Sequence, residues 1–508
     1  MKTNDYLLLS ATGAYSFLFY QQNAGINFLI FNMVLIAILV IKNKKLLTYN
    51  KWIWSAVLCV LSSVAVFVHS SALSIIGNIF SLLLLSAVSF NVATSSLFSF
   101  AFSCYSVLSC VVYIIIDSIK RYQPKAEGEN SKKGYKTLAT IIVLVLSVLF
   151  FSMYKNSNPL FAENTKWINL DFISVGWIFF TIGGFILMYA FLYHRTIKPI
   201  ENWENNLPLT NSSFEQNEQT IKQFETERYA GMLLFILLNA MLLILNIGDI
   251  QTLYFNGGLP KGVTHSDFVH NGVGVIILSI IIATSLIMFL YRKEFTTVKN
   301  NKVLSAFVYL WIFQNVVMLS STAFRNQIYI HDYNFTYKRI GVYVWLVLAV
   351  FGLLIMFWKI YKKQSNWYLI RTNVAAWFTV LVLSGLVNWD KLITNYNIQN
   401  KPLAQVDFYY LFSLSDANIP ELIAITKKPE FNLFNAKLKN YTSSFYRERY
   451  YSETYTQLLN QKITHYLTDY TNDWRSFDLR DKEIVESIYS KTIVTSSVVE
   501  MRNLNHLV

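Results

Sequence analysis

Apolar runs long enough to cross a lipid bilayer constrain the fold of this chain more than any other feature. About 20 consecutive apolar residues in a helix span the hydrocarbon core of a membrane. We count twelve candidate runs, near residues 6–20, 26–41, 52–69, 72–90, 97–118, 138–154, 173–193, 230–248, 273–291, 303–322, 340–358 and 367–387. Charged residues make up 14% of the chain, against about 25% in soluble domains. The sequence therefore predicts an all-α polytopic membrane protein with about twelve transmembrane helices, held in the lipid bilayer.

The chain continues after the last apolar run as a polar segment with helical periodicity. Its large apolar residues recur at spacings of three and four, which is typical of one buried face of a helix. They are Tyr455, Leu459, Ile463, Leu467, Tyr470 and Trp474. We predict a helical bundle over residues 1–388, interrupted by a cytoplasmic connection at 194–228, and a small extramembrane helical domain over 389–508.

The distribution of lysine and arginine predicts the orientation, because these residues favour cytoplasmic loops. The rich loops are 42–51, 120–136, 194–228, 292–302 and 359–363. From residue 119 onward they alternate with poorer loops, which places the poorer loops and the carboxy-terminal domain outside the cytoplasm. Those poorer loops are 155–171, 249–271 and 323–339.

The amino-terminal part does not follow this alternation. Three apolar runs separate the basic loops 42–51 and 120–136, and an odd number of crossings cannot place both loops inside. Either one run, such as the serine-rich "SFNVATSSLFSFAFSCYSVLSC", re-enters the membrane without crossing it, or 42–51 faces outside. The residues leave both alternatives open.

The segment "STAFRNQIYIHDYNFTYKRIGVYVW", residues 321–345, concentrates polar groups between two apolar runs. We predict an outside loop that leaves one span at Thr322 and enters the next near Ile340. Arginine offers paired donors to phosphate or carboxylate, so the segment is a candidate site for an anionic lipid or solute, or for a protein partner. The candidate residues are Arg325, Tyr329, Tyr333, Thr336, Lys338 and Arg339. The alternative is that they anchor helix ends at the membrane interface or form internal salt bridges.

Weaker candidates lie nearby. His265, His270 and His331 could form a composite metal site if their loops touch, with Asp267 between the first two, but His265 and His270 are five residues apart, not the four of a helical zinc pair. Gln314 and Asn315 are near the middle of a span, where they either join helices by hydrogen bonds or line a substrate path. We assign no metal site.

No catalytic motif is present. The sequence contains no phosphate-binding loop, nucleophile elbow or HExxH, and its three cysteines lie inside apolar runs, where they behave as small hydrophobic residues. We therefore predict no cofactor and no nucleic-acid partner, and we lean against an enzyme.

Four stretches together suggest a family. They are "FETERYAGMLLFILLNAMLLILNIGDI" (224–250), "GLPKGVTHSDFVHNGVGVII" (258–277), "RNQIYIHDYNFTYKRI" (325–340) and the segment 388–422. In order and spacing they resemble bacterial multi-pass membrane proteins catalogued as domain of unknown function 4173, with its relative 4153. The family pattern of the third stretch, Arg, then Tyr, then Tyr-Gly-x-Thr-x-x-Arg, falls on Arg325, Tyr329, Tyr333, Asn334, Thr336 and Arg339.

Asn334 stands where that family usually has glycine, and both residues tolerate a left-handed backbone. The resemblance implies a bacterial inner-membrane location and a shared core of helices. It implies no activity.

Three functions remain open at this point. The favoured one is an envelope sensor or assembly protein that uses the loops 249–271 and 323–339, beneath the tail domain, to meet a membrane or periplasmic protein. It is favoured because no mid-span carboxylate, Gly/Pro-broken helix pair or inverted repeat points to transport. The alternative is a transporter or flippase for an anionic solute or lipid. A lipid-linked glycosyl transferase ranks last, because the early loops "QQNAG" and "HSS" supply no carboxylate.

Overall fold

The computed structural model describes residues 3–122, parts of 140–166, and residues 174–211, 218–254, 265–292, 302–431 and 454–494. Throughout these residues the regular elements are helices. In chain order they are α1 (Thr3–Phe19), α2 (Ile26–Lys42), α3 (Asn50–His69), α4 (Ala72–Phe90), α5 (Ser96–Tyr122), α6 (Pro159–Asn164), α7 (Val175–Leu192), α8 (Lys198–Asn205), α9 (Glu218–Tyr254), α10 (His265–Leu290), α11 (Lys302–Tyr333), α12 (Tyr337–Tyr361), α13 (Asn366–Gly385), α14 (Trp389–Asn400), α15 (Phe408–Ser413), α16 (Ile419–Ile425), α17 (Tyr455–Asp469) and α18 (Leu479–Val494).

Eight of the described helices are long and apolar enough to cross a membrane: α3, α4, α5, α7, α9, α11, α12 and α13. Two shorter apolar helices, Ile26–Lys42 and Ile276–Leu290, accompany them. The chain is therefore an all-helical, multi-pass membrane protein, as the apolar runs predict. The predicted number of about twelve spans is larger by four runs. Two of them are α1 and α2, of 17 residues each, the third is the apolar part of α10, Ile276–Leu290, and the fourth is the run 138–154, which lies largely outside the described residues.

Tertiary contacts divide the chain into two compact units. The first unit is Met1–Asn205 with Leu381–Val387 and Asp469–Val508, and the second is Asn206–Val380 with Asn388–Thr468. Each unit thus combines apolar helices with a part of the carboxy-terminal segment. The predicted division at residue 388 into a bundle and a tail domain stays a prediction, because the contacts group the chain differently.

Small polar side chains join the helices of the first unit around an apolar core that includes Leu35, Leu85 and Cys59, each 0% exposed. The hydroxyls of Ser62 in α3 and Ser81 in α4 are 2.8 Å apart. Small residues let membrane helices approach closely, and their hydroxyls then bond across the interface. The serine-rich character of α3 and α4 is therefore explained by helix packing.

One end of the first unit is rich in lysine and arginine, and we call it the basic end. Lys42 at the end of α2 donates to the carbonyl of Leu192 at the end of α7. Lys51 at the start of α3 donates to the carbonyl of Val92, just after α4, at 3.1 Å. The loops 42–51, 90–96 and 192–204 therefore share this end.

Both ends of helix α5 contact the segment that runs from the end of α7 into α8. The backbone N–H of Ser95, just before the helix, donates to Glu204 at 2.6 Å, while Asp117 is ion-paired with Arg195 and accepts from Tyr189 at 2.5 Å. The 22 residues from Ser95 to Asp117 span about 33 Å of helix. Both ends of this stretch therefore contact residues 189–204, although they are that far apart along the helix.

Residues 473–481 close the opposite end of the first unit, and we call these contacts the first-unit clamp. The N–H of Ile26 donates to the carbonyl of Phe477 at 2.9 Å, and Arg475 donates to the carbonyl of Phe17 at 2.7 Å. A Cβ on Gly25 would overlap the backbone carbonyl oxygen of Ser476. Glycine is required here because the two backbones approach each other closely.

The second unit packs α9, α10, α11 and α12 around a core that includes Phe235, Ile287 and Leu304, each 0% exposed. Its main difference from the prediction concerns the outside loop 323–339. Helix α11 continues to Tyr333 and α12 begins at Tyr337, so the connection is three residues long. The prediction of a loop was wrong for residues 323–333, because their polar side chains have partners that keep them helical.

The predicted loop 249–271 is also partly helical. Residues 249–254 belong to α9 and residues 265–271 to α10, and 255–264 lie outside the described residues. Asn334, in the connection between α11 and α12, has φ 75°. The left-handed backbone expected from the family pattern at this position is therefore confirmed.

Candidate functional site

The connection between α11 and α12 is held by the carboxy-terminal segment of the second unit, and we call these contacts the second-unit clamp. The side chain of Asn397 in α14 accepts from the N–H of Phe335 at 2.6 Å and donates to its carbonyl at 3.0 Å. Asn334 donates to the carbonyl of Gln405 at 3.2 Å. Lys401 donates to the carbonyl of Asp332 at 2.7 Å. The turn thus has its polar backbone groups satisfied by the chain itself.

The second-unit clamp also includes a buried carboxylate, which accepts a hydrogen bond from the first residue of α12. Asp390 is 6% exposed and accepts hydrogen bonds from the hydroxyls of Tyr337, at 2.7 Å, and Ser415. The N–H of Tyr337 donates to Tyr410 at 2.9 Å. A buried carboxylate costs free energy unless donors surround it, and these hydroxyls supply them.

Arg325 has a carboxylate partner of its own. It lies in α11, 9% exposed, and is ion-paired with Asp249 in α9, which is 8% exposed. The internal salt bridge was one of the two interpretations of this arginine. Its partner was not identified from the sequence, although Asp249 directly follows the apolar run 230–248, where an acidic residue is a signal for a paired charge.

Arg339 is grouped with the tyrosines of α11. Its guanidinium carbon is 4.1 Å from the ring centroid of Tyr329, and Nη1 donates to the carbonyl of Tyr333 at 2.7 Å. The rings of Tyr329 and Tyr333 are 4.9 Å apart. The structure therefore brings these candidate residues together at the carboxy-terminal end of α11.

The remaining residues of the candidate anion site flank this group. Thr336 is the N-cap residue of α12, and its carbonyl accepts from the N–H of Arg339 at 3.0 Å. Lys338 is exposed. The hypothesis of an anion or partner site at these residues stays a prediction.

Gln314 and Asn315 lie in α11, where Gln314 joins two helices. Its side-chain amide donates to Asn239 of α9 at 2.8 Å, and its backbone carbonyl accepts from the side chain of Asn246 of α9 at 3.1 Å. Asn315 donates within its own helix, to the carbonyl of Trp311 at 2.7 Å. These bonds match the hydrogen-bonding alternative for the mid-span amides.

The histidine candidates are not brought together as metal ligands among the described side chains. His331 is exposed and its Nδ1 is 3.2 Å from the carboxylate of Asp332. His265, Asp267 and His270 lie at the start of α10, and their side chains are outside the described part of the structure. In the part that is described, no group of three or more His, Cys, Asp or Glu side chains is arranged to hold a metal ion.

The first unit contains an apolar cavity that the sequence did not indicate. It has a volume of about 540 Å³ and is lined by α1, α2, α4, α5 and α7, from Gln22 at the clamped end to His194 at the basic end. His194 is 7% exposed. The sequence places His194 in the polar connection 194–228. Its burial could not be predicted, because it depends on where α4, α5 and α7 end in space.

The comparison with known proteins identifies a family. A family model described as a domain of unknown function (DUF4153) matches residues 56–425, and the chain belongs to this family. None of the curated proteins and none of the solved structures that were compared matches the chain.

Proposed function

We propose that this member of the DUF4153 family is a bacterial inner-membrane protein that senses, or assembles with, an extracytoplasmic component. The observation that supports this best is the second-unit clamp. Four separate groups of the carboxy-terminal segment, Asp390, Asn397, Lys401 and Gln405, bond to residues 332–337. A contact that moves this segment would therefore move the joint between two apolar helices.

The charge distribution supports an orientation. Lys42, Lys51, Arg195 and Lys198 lie at the basic end of the first unit, and positive residues favour the cytoplasm. Residues 473–481 close the other end, so we propose that this part of the carboxy-terminal segment is extracytoplasmic. The contacts of both ends of α5 with residues 189–204 support the re-entrant alternative, in which 42–51 and 120–136 are both cytoplasmic.

Cysteine labelling tests this orientation. In a background without native cysteines, Lys45→Cys, Lys120→Cys and Lys482→Cys would each be treated with a membrane-impermeant thiol reagent in intact cells. We expect Lys482→Cys to react at once, and Lys45→Cys and Lys120→Cys to react only after permeabilisation. Reaction of Lys120→Cys in intact cells would show that α5 crosses the membrane.

A gentle purification from native membranes, with mass spectrometry of what remains bound, tests the function. We expect a protein partner on the wild type that is lost from Asn397→Ala, because this variant releases the turn at Phe335. Asn400→Ala is the matched control, since within the described part of the chain its amide donates only to the carbonyl of Tyr396 in the same helix, at 2.9 Å. Retention of the partner by Asn397→Ala, or its loss from Asn400→Ala, would contradict the proposal.

Arg339 supports a second candidate, a transporter or flippase for an anionic solute or lipid. Among the described residues its Nε has no hydrogen-bond partner, and the cation Lys338 is adjacent in sequence. An anion there would accept from a fork of nitrogens, which a lysine cannot supply. A small molecule or lipid retained by the wild type and lost from Arg339→Lys would favour this candidate; equal retention by both proteins would remove it.

A further inference from the structure

The cavity of the first unit has the shape and lining of a site for an aliphatic chain. Its volume is about 540 Å³, within the range of roughly 300–1,000 Å³ that is usual for ligand sites. Phe180 and Phe191 of α7 both line it, and these residues are eleven positions apart, which is about 16 Å along a helix. The space is therefore elongated and runs along the helix, between side chains that are mostly apolar.

His194 supplies a polar group at the basic end of this cavity. The hydroxyl of Ser86 donates its only proton to the carbonyl of Phe191 at 2.9 Å, and its oxygen is 3.5 Å from His194 Nδ1. Since the serine proton is already used, Ser86 can only act as the acceptor at this contact, and the tautomer that satisfies it carries its proton on Nδ1. We therefore assign the proton to Nδ1, which leaves the lone pair on Nε2.

The lone pair on Nε2 is buried, and it has no hydrogen-bond partner among the described residues. Burial lowers the pKa of His194 to about 4, against the opposing effect of the Glu201 carboxylate, so the ring is neutral near pH 7. A buried polar atom of this kind ordinarily has a partner. The complementary group is a neutral hydrogen-bond donor, since a lone pair repels phosphate and carboxylate oxygens.

We propose that this cavity binds the chain of a single-chain amphiphile whose hydroxyl group donates to Nε2 of His194. The apolar lining accepts the chain, and the imidazole selects a hydroxyl headgroup over an anionic or an aprotic one. This site lies wholly in the first unit and does not depend on the function proposed above.

Native mass spectrometry of the full-length protein in detergent tests the site with two probes of equal chain length. 1-Monoolein carries hydroxyl donors, and methyl oleate carries none. We expect the wild type to bind monoolein about tenfold more tightly, as one additional buried hydrogen bond predicts. His194→Phe keeps an aromatic ring but lacks the acceptor, so it should bind both probes equally.

A cavity-filling variant separates the site from lipid bound on the surface. Leu82→Phe fills part of the cavity and should weaken the binding of both probes by roughly tenfold. Leu9→Phe, at a position that is 46% exposed on α1, is the matched control and should bind as the wild type does. A preference for monoolein that survives in His194→Phe, or equal binding by Leu82→Phe and Leu9→Phe, would overturn the proposal.

Discussion

The carboxy-terminal segment clamps a turn in each unit, and the two clamps use different interactions. The second-unit clamp consists mainly of hydrogen bonds from amide and hydroxyl groups, as in the paired bonds between Asn397 and Phe335. The first-unit clamp is dense in charge and places five ionisable residues within nine positions. They are Asp473, Arg475, Asp478, Arg480 and Asp481.

This difference determines which conditions each clamp responds to. Hydrogen bonds between neutral groups change little with salt or with pH near neutrality, whereas exposed charges are screened and a shifted carboxyl titrates. The stability of the first-unit clamp should therefore change with salt and pH. The second-unit clamp should connect the carboxy-terminal segment to its turn with little response to either.

The largest effect we expect concerns the buried ion pair of Arg325 and Asp249 in the second unit. Arg325→Met leaves the carboxylate of Asp249 unpaired, and should lower the free energy of unfolding of the second unit by about 3–5 kcal/mol. The double variant Arg325→Met/Asp249→Leu should recover most of this loss. Thermal unfolding in detergent measures the stability of both variants. If the single and double variants are equally stable, the pair carries no structural energy and an anion-binding role for Arg325 gains support.

The next largest effect tests how closely the first-unit clamp fits. Gly25→Ala places a methyl group against the backbone of Ser476 and Phe477, where no side chain can move aside, and should cost about 3 kcal/mol. Hydrogen exchange of Leu479–Val494 should accelerate while that of Trp389–Asn400 is unchanged. Gly13→Ala is the control, because nothing lies within 4 Å of its added Cβ. Equal exchange in the two variants would show that the approach at Gly25 is loose.

The first-unit clamp should weaken as the pH rises towards neutrality. Burial raises the pKa of Asp478 to about 7, and Arg480 opposes this while Asp481 adds to it. Because the folded carboxyl binds its proton more tightly than the unfolded one, its contribution is full below pH 4 and is lost through pH 7. One such group changes stability by about 1.4 kcal/mol between pH 6 and pH 8.

Hydrogen exchange of Leu479–Val494 across this pH range, corrected for intrinsic rates, measures the effect. Asp478→Asn should remove the pH dependence. Asp473 does not interfere, since its hydrogen bonds with Arg475 lower its pKa to about 2 and confine its titration to more acidic conditions. A pH dependence that persists in Asp478→Asn would assign the titration to another group.

The smallest effect concerns salt. The pair of Arg475 and Asp473 is partly exposed, with 22% and 29% of the side chains accessible, so 1 M salt should weaken the first-unit clamp by less than about 1 kcal/mol. The second-unit clamp should change less, because most of its hydrogen bonds join uncharged groups. Hydrogen exchange at low and high salt compares the two directly, and equal sensitivity of both clamps would remove the distinction drawn between them.

The helices that span the apolar runs were predictable because hydrophobic length is a local property of the chain. The left-handed turn at Asn334 was predictable for a related reason, since few residues tolerate that backbone. The extent of α11 was not, because Arg325 stays helical through a partner on another helix, Asp249. Hydropathy alone cannot identify such a partner.

The candidate site was predicted only in part. Tyr329, Tyr333 and Arg339 do lie together, as one short pattern suggested. His194 was missed because a histidine after a span resembles any loop residue until the ends of α4, α5 and α7 enclose it. The division of the tail between two units was also missed, since it depends on contacts between residues more than 400 positions apart, such as Asn23 and Ser476.

The position of the first-unit clamp in the chain has a consequence for biosynthesis. The amino-terminal part of the first unit ends at Asn205, and its closing segment begins at Asp469, which is 264 positions later in the chain. At a synthesis rate of about 5–20 residues per second, that interval lasts roughly 13–50 s. During this time the early helices reside in the membrane with one end uncovered, and a ribosome that stops before residue 469 releases a protein whose first helices never receive their closing segment.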